Sequence, residues 1–179
     1  MSLLSAIDKA KSISFTDGDI KKICGNKAKI IMYHELETIS NILNLFHESN
    51  VLIILYETTE QFVGHWVCLL WYPDENLLQF FDPYAMRLDS ELKYNKMDKT
   101  AYLSYLIKMA QLQQNVRFEQ NKFDLQEKVG SVSTCGRWVC LRCLLYKFKN
   151  DQFVSLFKKG IKLDDPDDVV TIMTIIFNL

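Results

Sequence analysis

Residues 64–82 read GHWVCLLWYPDENLLQFFD: two apolar, aromatic-rich runs with PDEN between them. Proline, aspartate and asparagine form turns and the flanking residues favour strands, so the segment predicts an antiparallel hairpin. This stretch constrains the fold more than any other, because an antiparallel pair closed by a loop of known length has one register. With PDEN as a four-residue loop, Val67 faces Asp82 and His65 faces Tyr84. Side chains alternate along a strand, so all four lie on one face, with His65 and Asp82 as diagonal neighbours. A carboxylate beside a histidine fixes the imidazole tautomer and stabilises imidazolium. An incidental polar pair near two strand ends fits the same placement, and these residues alone leave both readings open.

The rest of the chain supplies further strands and helices. VLIILYE (51–57) is continuously apolar and β-branched, the pattern of a strand buried on both faces. KIIMY reads as a strand, and VRFEQNKFD offers another. Helical spacing recurs in residues 3–10, where Leu3, Leu4, Ile7 and Ala10 align, and in ELETISNILNLF, TAYLSYLIKMAQL and QFVSLFKK. FTDGDIKKICG offers Thr16 or Asp17 as a helix cap and Gly25 as a stop. In DDPDDVVTIMTIIF, Asp165 reads as a cap, Pro166 as the first helical residue, and Asp167 and Asp168 as acids complementing the helix dipole. No linker or repeat divides the 179 residues. The expectation is one α+β domain over residues 1–179, with a central mixed β-sheet flanked by helices.

VSTCGRWVCLRCLLY (132–146) places Cys135, Cys140 and Cys143 within one short stretch. Cys135 follows a polar loop and opens a pattern that reads as helical from Gly136 to Lys149. A thiol at a helix N-terminus lies in the positive end of the dipole, which favours thiolate, more so with an imidazolium nearby. Gly136 leaves the backbone beside it open to a substrate carbonyl, and the Cys135 amide is then a donor to an oxyanion. A small buried hydrophobe is the other reading of Cys135. Cys140 and Cys143, among Trp138, Val139, Leu141 and Leu144, read as helix core. A zinc site from Cys135, Cys140, Cys143 and His65 lacks the second loop-borne CxxC of structural zinc domains. A thioredoxin-type pair would begin its helix, whereas CLRC starts a turn later. Cys68 lies on the strand face opposite His65 and reads as core. His34 and His47 read as helix-end residues.

A formal net charge of −1 gives no general drive toward nucleic acid. Two lysine groups (Lys21, Lys22, Lys27, Lys29; and Lys147, Lys149, Lys158, Lys159, Lys162) read as solvated faces that could touch an acidic partner. The longest apolar runs are too short to span a bilayer, so no membrane partner is expected. The start lacks a basic segment followed by an apolar block, and the five cysteines are irregularly spaced. Free thiols in a reducing intracellular compartment are therefore expected.

GHW on a strand, FFDPYA one hairpin later and a distant TCGRW opening a helix together resemble the adenovirus-protease-like cysteine proteases, of the clan that includes SUMO and ubiquitin-like-protein proteases. The likeness runs from about Phe15 to Tyr146. It is closest to maturation proteases of virophages, large DNA viruses and Maverick/Polinton elements, where segments like TDGDI and VLIILYE recur. The resemblance implies the adenain-like fold, with the catalytic cysteine at the N-terminus of a buried helix. It implies Cys135 as nucleophile, His65 as general base and Asp82 as its orienting acid. Gln126, the only glutamine between Lys122 and Cys135, becomes the oxyanion-hole side chain, at a longer spacing than in adenovirus-type members. Trp66 and Gly136 border the substrate cleft. The implied activity is endoproteolysis of viral capsid or core precursors at glycine-containing motifs, in the host cytoplasm or virus factory and the virion. No metal or cofactor is implied, and a peptide or DNA activator is left open. A protease of host ubiquitin-like modifiers, a non-catalytic assembly module of the same fold and a zinc-stabilised interaction domain are the competing readings.

Overall fold

The computed structural model describes residues 3–58, 64–95, 99–159 and 165–177. Five strands form one mixed sheet in the order β1 (Lys29–Met32), β2 (Val51–Glu57), β3 (Gly64–Tyr72), β4 (Leu77–Phe81) and β5 (Arg117–Gln120). The three central strands run antiparallel, and the two edge strands pair in parallel with their neighbours. Tyr72 pairs with Leu77 and Cys68 with Phe81, the register that the PDEN loop predicts. The loop is a short 3₁₀ turn, Pro73–Glu75, closed by Asn76 in the left-handed region at φ 47°. Asparagine tolerates that conformation because its short polar side chain relieves part of the strain.

The sheet is covered on both faces. Val51, Ile53, Leu55, Trp66, Cys68 and Leu70 pack in one cluster with α2 (Asp17–Cys24), α4 (Cys135–Leu144), α5 (Asn150–Lys159) and α6 (Pro166–Phe177). Leu52, Ile54, Val67, Leu69, Leu78 and Phe80 pack on the other face with α3 (Tyr102–Gln114) and three 3₁₀ turns. Two apolar faces are why β2 carries no polar alternation. The first helix, α1 (Leu3–Lys11), meets α6, where Lys11 pairs with Asp165 and Asp168, each at 2.7 Å. Thr16 caps α2 in a reciprocal box with Asp19. Asp165 Oδ1 accepts from the Asp167 amide at the start of α6. Among the described residues, no helix is long and apolar enough to cross a membrane.

Two helical expectations are corrected. ELETISNILNLF forms two 3₁₀ turns, Tyr33–Thr38 and Ile42–Phe46, with Ile39 extended between them. β-branched Thr38 and Ile39 disfavour a continuous helix, and the Asn41 side chain accepts from the Leu43 amide to start the second turn. The helix from the TCGRW motif ends at Leu144 rather than Lys149. Its end is set by buried Arg142, which donates to the Leu145 carbonyl, Tyr72 Oη, Gln79 Oε1 and Asn150 Oδ1. Of the two lysine groups, Lys162 lies outside the described residues.

Candidate active site

Gly64, the residue before His65, starts β3 where a Cβ would lie 1.8 Å from the Tyr56 carbonyl oxygen. Only glycine allows the two strands to approach this closely there. His65 is buried, and its Nε2 lies 2.7 Å from Asp82 Oδ1. Beyond the last ladder pair the chain turns at Pro83. There Asp82 Oδ1 also accepts from the Tyr84 amide (2.8 Å) and Oδ2 from the Met86 amide (3.2 Å). Asn121 pins the aspartate's backbone: its Oδ1 accepts from the Asp82 amide and its Nδ2 donates to the Asp82 carbonyl. The ring of Tyr84 stacks on His65 with centroids 4.6 Å apart and planes at 16°. His65 and Tyr84 are the pair that the hairpin register sets opposite each other.

Cys135 is the first residue of α4, following Thr134, and is 8% exposed. Its thiol lies beside the His65 ring. Burial pulls the His65 pKa down, but hydrogen bonds to Asp82 and Cys135 and their charges outweigh it, and the pKa is raised to about 10. Imidazolium is thus the favoured form of the ring at neutral pH.

Gln126 is also buried here. Its Nε2 donates to Tyr84 Oη (3.0 Å) and the Val132 carbonyl (3.4 Å), and its Oε1 has no partner among the described residues. Trp66, expected to line or shield the cleft, is only 3% exposed, donates to the Phe15 carbonyl and supports α4 from the core side. The reason for glycine at 136 also differs from the expectation. An added Cβ would come within 2.6 Å of Phe15 Cβ and 3.3 Å of Trp66 Cδ1, so the space is needed by the protein's own side chains. Cys68, Cys140 and Cys143 are core residues, and all five thiols are free.

Sequence reading missed three contributors. Asp167 does more than complement the α6 dipole: its carboxylate accepts from Thr134 Oγ1, Trp138 Nε1 and the Glu127 amide. It ties the first turn of α4 to the loop carrying Gln126. Asn121 has no local signal, because its role depends on the pairing of β5 with β4. Glu91, in the 3₁₀ turn Ser90–Tyr94, is buried, and ligand atoms of His65, Asp82 and Glu91 lie within 4.8 Å of one another. Among the described residues this is the one group with metal-ligand spacing. It excludes the cysteines, and a cation bound there would compete with His65 for Asp82. The zinc reading through Cys140 and Cys143 therefore has no geometric basis.

The fold and site define a class: α+β chains with histidine, aspartate and cysteine, in that order, gathered at one end of a mixed sheet. The chain is 31% identical to the uncharacterized protein V9 of the Sputnik virophage, over 92% of this chain and 96% of that protein. It belongs to the same family as V9, which bears out the resemblance to virophage proteins. No family model matches the sequence. Similar solved structures include the Chlamydia trachomatis effector Cdu1 bound to ubiquitin (12% identity, 97% of this chain and 77% of that one, TM-score 0.46). They also include the C-terminal Ulp1 protease domain with Smt3, the yeast ortholog of SUMO (14% identity, 97% and 73%, TM-score 0.42).

Proposed function

We propose that this chain is a cysteine endopeptidase that cuts viral capsid or core precursors at glycine-containing motifs. The observation that supports the reading is a buried imidazole held by Asp82 at 2.7 Å that also interacts with the helix N-terminal thiol of Cys135. The viral source of V9 and the resemblance carried by GHW, FFDPYA and TCGRW supply the substrate class.

Each step uses side chains in the site and water. The Cys135 thiolate attacks the scissile carbonyl while His65 holds the proton. Asp82 keeps the other ring nitrogen protonated and oriented. The first amides of a helix have no intrahelical acceptor, so the Cys135 N–H is free to receive the oxyanion. Gln126 Nε2 is the second donor, exchanging its long contact with the Val132 carbonyl for the oxyanion. His65 passes its proton to the leaving amine, the C–N bond breaks, and a thioester to Cys135 remains. His65 then takes a proton from water, which attacks the thioester; the C–S bond breaks, releasing the acid and restoring the Cys135 thiolate beside protonated His65. Co-expression with capsid precursor from the same virus tests the reading. Wild type is expected to produce one or a few cleavages absent with Cys135→Ala, and identical products from both proteins would refute it.

A further inference from the structure

The mechanism leaves Glu91 unused, and Glu91 is an expensive residue to place where it is. It is 8% exposed, and its carboxylate lies within 4.8 Å of a ring nitrogen of His65 and an oxygen of Asp82. Asp82 is satisfied by the imidazole and two backbone amides, whereas Glu91 accepts no hydrogen bond from the described residues. Burial raises its pKa, and the nearby His65 charge opposes that only in part. A largely buried carboxylate without a donor is destabilising, and the charges of His65 and Lys93 offset that only in part.

Glu91 also lines a cavity of about 370 Å³. Tyr84, Met86, Tyr94, Val129 and Val132 form its other walls. Tyr84 is the partition: it stacks on the His65 ring and also lines the cavity, so an occupant sits one aromatic ring away from the imidazole. Among the described residues the one cation on the lining, Lys128, is more than half exposed and pairs with Asp124 at 3.6 Å on the surface. Its Nζ also stands 6.0 Å from the Tyr84 ring centroid, which shows that this ring can be approached by a cation.

We infer that this cavity is a subsite for a lysine or arginine side chain of the substrate near the scissile bond, with Glu91 as the specificity-determining carboxylate. An ammonium or guanidinium gives Glu91 the charged donor it lacks, while the aliphatic stem lies against Met86, Val129 and Val132 and the tyrosine rings. An acidic side chain would meet the Glu91 carboxylate and is rejected. The inference rests on the protease reading above.

The test uses the full chain, as wild type, Glu91→Gln and Glu91→Lys, on a proteome-derived peptide library with new termini read by mass spectrometry. Cys135 alkylation by iodoacetamide is measured on the same preparations. Wild type is expected to enrich Lys and Arg at one position within a few residues of the cut. For matched peptides carrying lysine or norleucine there, the ratio of kcat/KM is expected to fall ~10-fold or more in Glu91→Gln. Glu91→Lys is expected to turn the preference toward acidic residues; if it does not fold, the near-isosteric glutamine variant carries the comparison. Cleavage without basic enrichment, enrichment that survives Glu91→Gln, or a reactive Cys135 with no cleavage at all overturns the subsite and leaves the nucleophile standing. An unreactive Cys135 with no cleavage overturns the protease reading and the subsite with it.

Discussion

Asp82→Asn is the substitution whose consequence can be worked out most fully. Asparagine keeps one acceptor. With its oxygen at the Oδ1 position it still receives His65 Nε2 and the Tyr84 amide, and its NH₂ then faces the Met86 N–H, losing the 3.2 Å bond. The reverse orientation aims NH₂ at both His65 and the Tyr84 N–H, so the first is cheaper. The tautomer survives and the charge is lost. An imidazole raised from 6.5 to about 10 favours its charged form by about 5 kcal/mol at ~1.36 kcal/mol per pH unit. Asp82 and Cys135 both raise it against burial, and losing the charge from one charge-assisted hydrogen bond costs ~2–3 kcal/mol. That predicts a loss of ~30- to 150-fold in kcat/KM. The sign on the pH axis follows. A raised pKa keeps the ring protonated up to about 10, so losing Asp82 lets the proton leave earlier and moves the alkaline limb of kcat/KM down. The same linkage stabilises the fold fully below about 6.5 and is lost as pH rises through about 10. The unfolding free-energy difference between wild type and variant therefore shrinks between those values. The assay is kcat/KM against pH on a peptide that wild type cuts, with urea unfolding in parallel. An unchanged rate with an unmoved alkaline limb would refute the electrostatic role of Asp82.

Gln126→Ala is expected to lower kcat by ~10²–10³ with little effect on KM, and a negligible change in single-turnover rates would move the second oxyanion donor elsewhere. Cys140→Ala and Cys143→Ala are expected to keep Cys135 reactivity and cleavage while losing ~1 kcal/mol of stability each; lost cleavage in a folded variant would contradict their assignment to the core. Gly136→Ala forces a methyl to 2.6 Å from Phe15 Cβ and is expected to cost ~1–3 kcal/mol by urea unfolding. Wild-type stability in that variant would contradict the tight packing of Phe15 on α4.

The hairpin was the most legible part of the sequence because turn chemistry and strand alternation act locally. Four loop residues sufficed to set His65 opposite Tyr84 and near Asp82, and the Thr16 and Asp165 caps were readable for the same reason. The failures lie where local competition or tertiary contacts override the pattern. Periodicity in ELETISNILNLF matched a helix, but local competition from Thr38, Ile39 and the Asn41 cap broke it into two turns. Trp66 stood beside the histidine and looked like a cleft residue. Strand alternation turns it into the core, where it supports Gly136. Glu91 carried no motif and Asp167 only its place in a helix-start signature, since the role of each depends on tertiary contacts. A buried carboxylate is recognised only once its surroundings are known. Cys135 itself was visible as a thiol at a helix start, but its approach to His65 required the sheet and α4 to be in place.

The central claim is that His65 activates Cys135. Site-resolved alkylation with limiting iodoacetamide at pH 6, read by peptide mass spectrometry on wild type and His65→Ala, tests it most directly. The account predicts that Cys135 labels fast and alone among the five cysteines, and that removing the imidazole slows it. Five thiols labelling slowly and alike, or a Cys135 rate indifferent to His65, would contradict it.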